Sequence, residues 1–441
     1  MKRHIATLFF SVCMVCFSSA YANAAANSAV NTTQTASITA TPLYSPSDNY
    51  YFNPTRWMPL LMHWQIYQYE QRPNEMLAAK VPTPIISHGW GDRISINGGI
   101  NVQGIFSNHT DSQSLLFTGP ANDQLNLRAA YFGFTGYLTS WARAYVSLNY
   151  EPGSVSTATG EPYTAPEMEQ AYVQMKNPSG HFRFDLGKQY LPFSVYEHYP
   201  LVVSLAQKLS EINKVAAVLS THYNPFFASI YAFGAQGSLN GFNNGANTPI
   251  SENELANGGA EMGFKKESKI FGYEALIGYM NNLAETRYIY GLIKATHKRV
   301  SAVSLHLSLD VYRFGFLSNF IYPTDSFSPQ DITFNNQGAR PWAYDARLNY
   351  TFDIHHHPLV PVISYQYSDQ ELFLSVPQYT YTLSTEYWIN KYLIATIAYL
   401  RSKNYAAGST GSYATSATSF TTITGNGLWN NTGIIELAAH F

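Results

Sequence analysis

The 441-residue chain is 15% aromatic, with 34 tyrosines, yet only 12% charged. A soluble domain carries about a quarter charged residues, and a helical membrane protein carries apolar runs of about 20 residues; this chain shows neither pattern. Its net charge of −2, with no clustered basic excess, excludes the footprint of a nucleic-acid binder.

At the start of the chain, Lys2 and Arg3 precede a short apolar core from Ile5 to Phe17. Small residues at Ala20, Ala22 and Ala24 supply two cleavage sites, after Ala22 or after Ala24, so residues 1–22 read as a secretory signal peptide. Cleavage removes Cys13 and Cys16, the only two cysteines, and leaves 24 basic against 28 acidic residues, a net charge of −4. No lipobox-like run precedes either cysteine, which argues against a lipid anchor. A cysteine-free mature chain has no disulfide framework and no thiolate metal site. Residues 23–89 read as a periplasmic extension. Asn, Ala, Ser and Thr dominate as far as Thr41, the composition of a flexible leader. Pro54 to Gln71, with Trp57, Met58, Leu61 and Trp64, suits a short amphipathic helix capped by Asn53. It is expected to rest on a barrel rim rather than plug a pore, because plugged transporters use about 22 strands.

From residue 90 to 441 the pattern is period-2 alternation. Ile94, Ile96, Ile100 and Val102 interleave with Ser95, Asn97, Asn101 and Gln103. Ala144, Val146 and Leu148 interleave with Arg143, Tyr145, Ser147 and Asn149. Leu305, Leu307 and Leu309 interleave with His306, Ser308 and Asp310; Ala346, Leu348 and Tyr350 interleave with Asp345, Arg347 and Asn349. Backbone groups in hydrocarbon must be hydrogen-bonded within the protein, so strands of this kind must close into a barrel. The connections alternate between short and long, the rhythm of periplasmic turns and outer loops. Short ones fall at Thr139-Ser140, 177–180, Asn224-Pro225, 266–269, 297–300, 353–358 and 388–390. Long ones run over 107–124, 152–166, 190–213, 235–257, 281–286, 322–341, 368–377 and 402–428. The expected fold is therefore all-β: a transmembrane antiparallel β-barrel of about 16 strands. This count takes Ser301 to Ile321 as one long strand. The last strand alternates too, with Ile435, Leu437, Ala439 and Phe441 against Ile434, Glu436, Ala438 and His440. Its terminal Phe441 resembles the signal by which outer-membrane barrels engage the barrel-assembly machinery. Export and barrel closure together point to the outer membrane of a Gram-negative cell, with its lipid as the principal partner.

On this alternation the lumen receives Arg128, Arg143, Arg183, Asp185, His306, Asp310, Asp345, Arg347, Glu386 and Glu436. Rings of charged side chains set selectivity in water-filled pores. The mixture of signs here suits a weakly selective channel or a site for a polar, multiply charged solute, and equally suits charges that pair and stiffen the wall. The third long loop is too apolar for an exposed one, with Leu201, Val202, Val203, Leu205 and Leu209. It is expected to fold back and narrow the pore, with Lys188, Tyr190, Pro192, Phe193, Lys208 and Lys214 as constriction candidates; alternatively, part of it extends a strand, since Lys214 to His222 alternates. His306 and Ser308 superficially resemble the His-x-Ser pair of outer-membrane phospholipases. That pair faces lipid, whereas Leu305, Leu307 and Leu309 claim the lipid face here, so no enzyme is expected. His355, His356 and His357 read as a polar turn rather than a metal site, because adjacent residues diverge in direction. No cofactor is implied.

Several stretches carry a resemblance to a known family: Gly91 to Gly99, Ala129-Ala130-Tyr131-Phe132-Gly133, Met168 to Val173, and Asp185-Leu186-Gly187-Lys188-Gln189-Tyr190-Leu191-Pro192-Phe193. The chain resembles the siderophore-porin family of the legiobactin-receptor type, and the Gly-Lys-x-x-x-Pro-Phe stretch is also similar to the strand-to-loop corner of phosphate-selective porins. The resemblance implies a 16-stranded channel that takes up a ferric siderophore without an energised plug. Three functions remain open: passive or facilitated uptake of a polar solute such as an iron–siderophore complex, a general or anion-preferring porin, and a surface adhesin. A homo-oligomer is compatible with each.

Overall fold

The computed structural model describes residues 94–440 apart from 108–123, 140, 151–165, 178–180, 196–200, 202, 235–237, 240–256, 268–270, 294, 356, 391 and 416–418. The expected signal peptide, the 23–89 extension with its amphipathic segment, His356 and Phe441 lie outside the described residues.

Sixteen strands form the wall. In chain order they are β1 Ile94–Ser107, β2 Gln124–Tyr137, β3 Ala142–Tyr150, β4 Glu167–Lys176, β5 Phe182–Tyr190, β6 Asn213–Tyr223, β7 Phe226–Phe233 and β8 Asn257–Glu267. The second half is β9 Phe271–Met280, β10 Ala302–Val311, β11 Phe314–Pro323, β12 Trp342–Tyr350 (continued by Phe352–Ile354), β13 His357–Asp369, β14 Tyr379–Asn390, β15 Leu393–Lys403 and β16 Trp429–His440. Each strand pairs antiparallel with its sequence neighbours, and β1 pairs with β16 from Gly99↔His440 to Ser107↔Thr432. That last ladder closes the cylinder and leaves no wall edge unpaired.

The count of sixteen survives two compensating corrections. Ser301 to Ile321 is a hairpin, β10 and β11, turning at Tyr312 and Arg313. His297 to Val300 is not a periplasmic turn but part of a long outer loop, 281–301. The segment that the first count needs as a strand there is an α-helix, Arg287–Leu292, followed by a two-residue strand, Ala295–Thr296, that pairs with Ser238–Leu239 outside the wall.

Alternation sorts the side chains as the bilayer requires. Ile363, Ile397 and Leu383 are 62%, 58% and 56% exposed, while their strand neighbours Ser364, Ala398 and Ser384 are buried on the inner face. Aromatic side chains ring both ends of this apolar belt. Phe182 and Tyr223, then Phe314, Tyr350 and Phe352, contact one another near the short turns. Phe320, Trp342, Tyr367 and Tyr379 do so near the long loops. Arg401 lies 4.8 Å over Trp429, its stem along the belt and its head at the interface. A closed barrel with an apolar belt between two aromatic girdles is a membrane-spanning structure, and it belongs in the Gram-negative outer membrane. No helix among the described residues is long and apolar enough to cross a membrane.

Inside the upper half of the barrel lies a second, loop-built core. Ala216, Val218, Tyr231, Phe233, Met280, Ala302, Ile321 and Ala343 face inward from β6 to β12. Leu205, Leu209, Ile289, Phe327, Ile332, Phe373 and Leu374 come down from the loops to cover them. Two further loops add a four-stranded sheet at the mouth, Gln337–Gly338, Ile332–Phe334, Thr410–Ala414 and Phe420–Thr424.

Candidate functional site

The described residues of the third outer loop, 191–195, 201 and 203–212, do not extend outward. Its base is closed by Leu191 N–H donating to Ile212 O at 3.0 Å, and from there it enters the lumen. The Phe193 carbonyl is seated against Gly278 of β9, where a Cβ would lie 2.0 Å from the carbonyl oxygen, and it accepts a hydrogen bond from Ser304 Oγ of β10. Only glycine leaves room for a main chain so close to the wall. Val195 packs on Phe227 and Leu276. Further along, Leu201 is buried against Ala398, Leu400 and Ile434 of β15 and β16. Its φ of 78° is unfavourable for leucine by about 1–3 kcal/mol, and burying the side chain offsets this with about 1.5–3 kcal/mol. The loop then forms helix α1, Leu205–Ser210, whose first turn is capped by Ser204 Oγ accepting from Gln207 N–H at 3.1 Å. Leu205 N–H donates to Gln366 Oε1 of β13 at 3.0 Å. The loop therefore touches the wall at β9–β10, at β15–β16 and at β13 before returning to β6.

A second helix, α2 (Arg287–Leu292), holds α1 in place. Glu211 accepts from Gln207 Nε2 and from Arg287 Nη1, each at 2.6 Å, and its carbonyl accepts from Arg287 N–H at 2.7 Å. Lys214 pairs with Glu285 at 3.2 Å and lies 4.0 Å over the Tyr290 ring. Glu211 and Arg287 are both almost fully buried, so each requires the other: a buried charge without its partner costs several kcal/mol. On the far side, Glu371 sits in the loop after β13. Burial pushes its carboxyl well above the usual range, and the Lys208 charge on α1 partly opposes that shift. Its backbone N–H donates to Tyr405 Oη at 3.0 Å.

Nine of the ten lumen candidates are buried, and Asp310 is half-buried near the short-turn rim. Seven of them are linked to neighbours along or across strands. Arg128 pairs with Glu436 at 3.1 Å. Arg143 Nε donates to Gln174 Oε1, Gln174 Nε2 donates to Asp185 Oδ1, both at 2.9 Å, and Asp185 pairs with Arg183 at 2.6 Å. His306 Nδ1 lies 2.7 Å from Asn319 Oδ1, and Asn319 N–H donates to Asp345 Oδ1 at 3.1 Å. Arg347 and Glu386 occupy inward positions on β12 and β14. The constriction candidates divide. Pro192, Phe193 and Lys208 are buried in the third loop, but Lys188 and Tyr190 belong to β5 and Lys214 to β6. Lys188 shares its strand face with the lipid-facing Phe182 and Leu186, and its Nζ donates to Met168 O at 2.7 Å. β5 runs in unbroken register with β6 as far as Tyr190, so Lys188 belongs to the wall and not to the loop. No group of His, Cys, Asp or Glu able to hold a metal occurs among the described residues.

The charge pattern does not point to Gly278, Glu211 or Arg287. An isolated glycine inside an alternating strand was the one available signal for the first.

No family model matches the chain. It is 26% identical to a UPF0422 protein of Coxiella burnetii over 71% of this chain and 67% of that protein. It is 21% identical to a UPF0422 protein of Legionella pneumophila over 65% of this chain and 55% of that one. The chain thus spans about half to two thirds of the length of the curated relatives it matches. Among solved structures, an anion-selective porin from Comamonas acidovorans aligns with 79% of this chain and 99% of its own length, at a TM-score of 0.48 and 9% identity.

Proposed function

We propose that the protein is an outer-membrane channel for a polar solute, narrowed by its third loop, and that the solute is an iron–siderophore complex. The observation that carries the channel reading is where the loop's described residues sit: Phe193 at Gly278, Leu201 on β15–β16 and Leu205 at Gln366 hold it at three separate places on the inner wall. A barrel serving only as a surface anchor has no need of a loop held inside it by a buried ion pair. The side chains that would meet a solute below the loop are paired charges and neutral hydroxyls, which favour a polar solute over a strongly selected ion. The siderophore is supported by the sequence resemblance described above.

The test is single-channel recording of the purified protein in planar bilayers, with and without ferric siderophore. The expected result is a stepwise conductance that ferric siderophore reduces and the iron-free ligand reduces less. Conductance indifferent to siderophore would favour a general or anion-preferring porin. Absence of conductance would favour an adhesin and overturn the channel.

A further inference from the structure

At the outer ends of β14, β15 and β16 the lipid-facing side of the wall carries two cations together. Arg401 and Lys403 occupy consecutive outward positions of β15, after the exposed Ile397 and Tyr399. Arg401 pairs in register with Tyr381 on one side and Asn431 on the other, and Lys403 with Tyr379 and Trp429. One indole serves both charges: the Trp429 ring centroid lies 4.8 Å from the Arg401 guanidinium and 5.6 Å from the Lys403 ammonium. Beside it, Tyr399 Oη donates to Asn431 Oδ1 at 2.7 Å.

Among the described residues neither cation has an ion pair or a side-chain hydrogen bond. Asp369, the outward carboxylate of β13, is two strands away and accepts from Trp342 Nε1 at 3.0 Å. Lys188, the outward lysine near the outer end of β5, is held instead by the Met168 carbonyl. Side chains two apart on a strand stand about 7 Å apart, so the charges of Arg401 and Lys403 repel each other. The Trp429 face attracts both but neutralises neither. A single anion placed between the guanidinium edge and the ammonium would pair with each and remove the repulsion.

What lies below the cations decides the source of that anion. Leu383, then Ile397 and Ile435, are exposed apolar side chains on the same face, one and two outward positions nearer the membrane centre. A dissolved anion would use the charges alone. A lipid uses both features, with its chains on the apolar strip and its headgroup at the height of Arg401 and Lys403. We infer that this face binds the phosphorylated glycolipid of the outer leaflet, one headgroup phosphate resting between Arg401 and Lys403. Trp429 on one flank and Tyr379 and Tyr381 on the other present amphipathic rings at the same level, where a sugar headgroup meets its acyl chains.

The experiment titrates the intact barrel, purified in a non-ionic detergent, with bisphosphorylated lipid A and with the same lipid A stripped of its phosphates. Bound lipid is counted by native mass spectrometry. The phosphorylated form is expected to bind at least about tenfold more tightly, and equimolar inorganic phosphate should not displace it. Arg401→Gln with Lys403→Gln should assemble and lose about thirtyfold in affinity for lipid A, each cation contributing roughly a factor of five. Lys266→Gln, at the exposed outward lysine near the short-turn end of β8, should bind as wild type. Equal affinity of the wild-type barrel for the two lipids, a comparison that needs no variant, would overturn the site. So would unchanged affinity in the double variant, or an equal loss in Lys266→Gln. Full displacement by equimolar inorganic phosphate would leave a free-anion site and overturn the lipid.

Discussion

The two sides of the upper lumen face the same loops and treat them oppositely. From β6 to β12 the inward positions near the mouth are Ala216, Val218, Phe233, Met280, Ala302, Ile321 and Ala343, and the loops fold down onto them as a continuous apolar core. From β13 to β16 and on to β4 they are mostly polar, with Gln366, Thr382, Thr432, Ser147 and Gln170 broken only by the Ala398, Leu400 and Ile434 cluster under Leu201, and the loops touch this side at isolated points, chiefly Leu201 and Leu205. The outer faces of the two sides are alike, because lipid demands the same apolar belt everywhere. The difference teaches that one alternating strand carries two separate messages. Its outward residues fix the membrane, and its inward residues decide whether a loop settles there or a path stays polar.

The strongest way to break this contrast is to release the loops from the apolar side. Arg287→Met removes the partner of the buried Glu211 carboxylate, and such a loss costs about 3–5 kcal/mol. The third loop should come free of α2, seen as higher single-channel conductance and new protease cleavage within residues 191–212. Adding Glu211→Gln to the same protein should recover part of the wild-type behaviour, since the stranded charge is gone. Unaltered conductance and protection in Arg287→Met would mean that the ion pair does not hold the loop.

The next test separates the two messages on a single strand. Leu307→Arg places a cation on the lipid face of β10 near its middle, at about 2–4 kcal/mol. Ser308→Arg, one residue on, places the same cation toward the lumen. The first should impair assembly, read as loss of the heat-modifiable folded band on gels. The second should assemble and shift ion selectivity toward anions. Equal assembly of both would refute the assigned facing.

A smaller effect is expected at the loop's seat. Gly278→Val forces side-chain atoms into the space of the Phe193 carbonyl, and overpacking of this kind costs about 1–3 kcal/mol. The barrel should still assemble, because β9 keeps its ladders with β8 and β10. Conductance should rise as residues 191–195 leave the wall. A crystal structure of the variant with Phe193 unmoved would contradict the role given to this glycine.

Much of the wall was legible in the sequence because the bilayer imposes period 2 on every strand, and short turns alternate with long loops. What was illegible had local causes. The hairpin at Tyr312 and Arg313 contains no Gly, Pro, Asn or Asp, and Tyr312 adopts a φ of 56° that turn chemistry does not favour for tyrosine. In α2, Tyr288, Tyr290 and Leu292 fall on alternate positions like strand residues, while the helix is set by its contacts with α1, which are invisible locally. Among the candidate residues, alternation supplied the inward facing of Arg128 and Glu436. Their pairing, across 308 positions of sequence, depends on closure of the first strand on the last.

The smallest predicted effect concerns pH and a carboxylate in the loop after β13. Glu371 has its folded-state pKa raised, chiefly by burial, so the packed loop prefers the neutral acid. A group of this kind contributes stability that is fully present below the ordinary carboxylate range and is lost as pH rises through the raised value. Packing of the 370–378 loop against α1 should therefore loosen with rising pH across that interval and tighten with acidification. Lys208 limits the change, because its charge favours the ionised form that burial disfavours. In Glu371→Gln the residue is uncharged throughout and the pH dependence of loop opening should flatten, while Lys208→Met should steepen it. Hydrogen exchange of amides 370–378 between pH 4 and 8 reads both directly, and a Glu371→Gln profile as steep as wild type would assign the titration to another group.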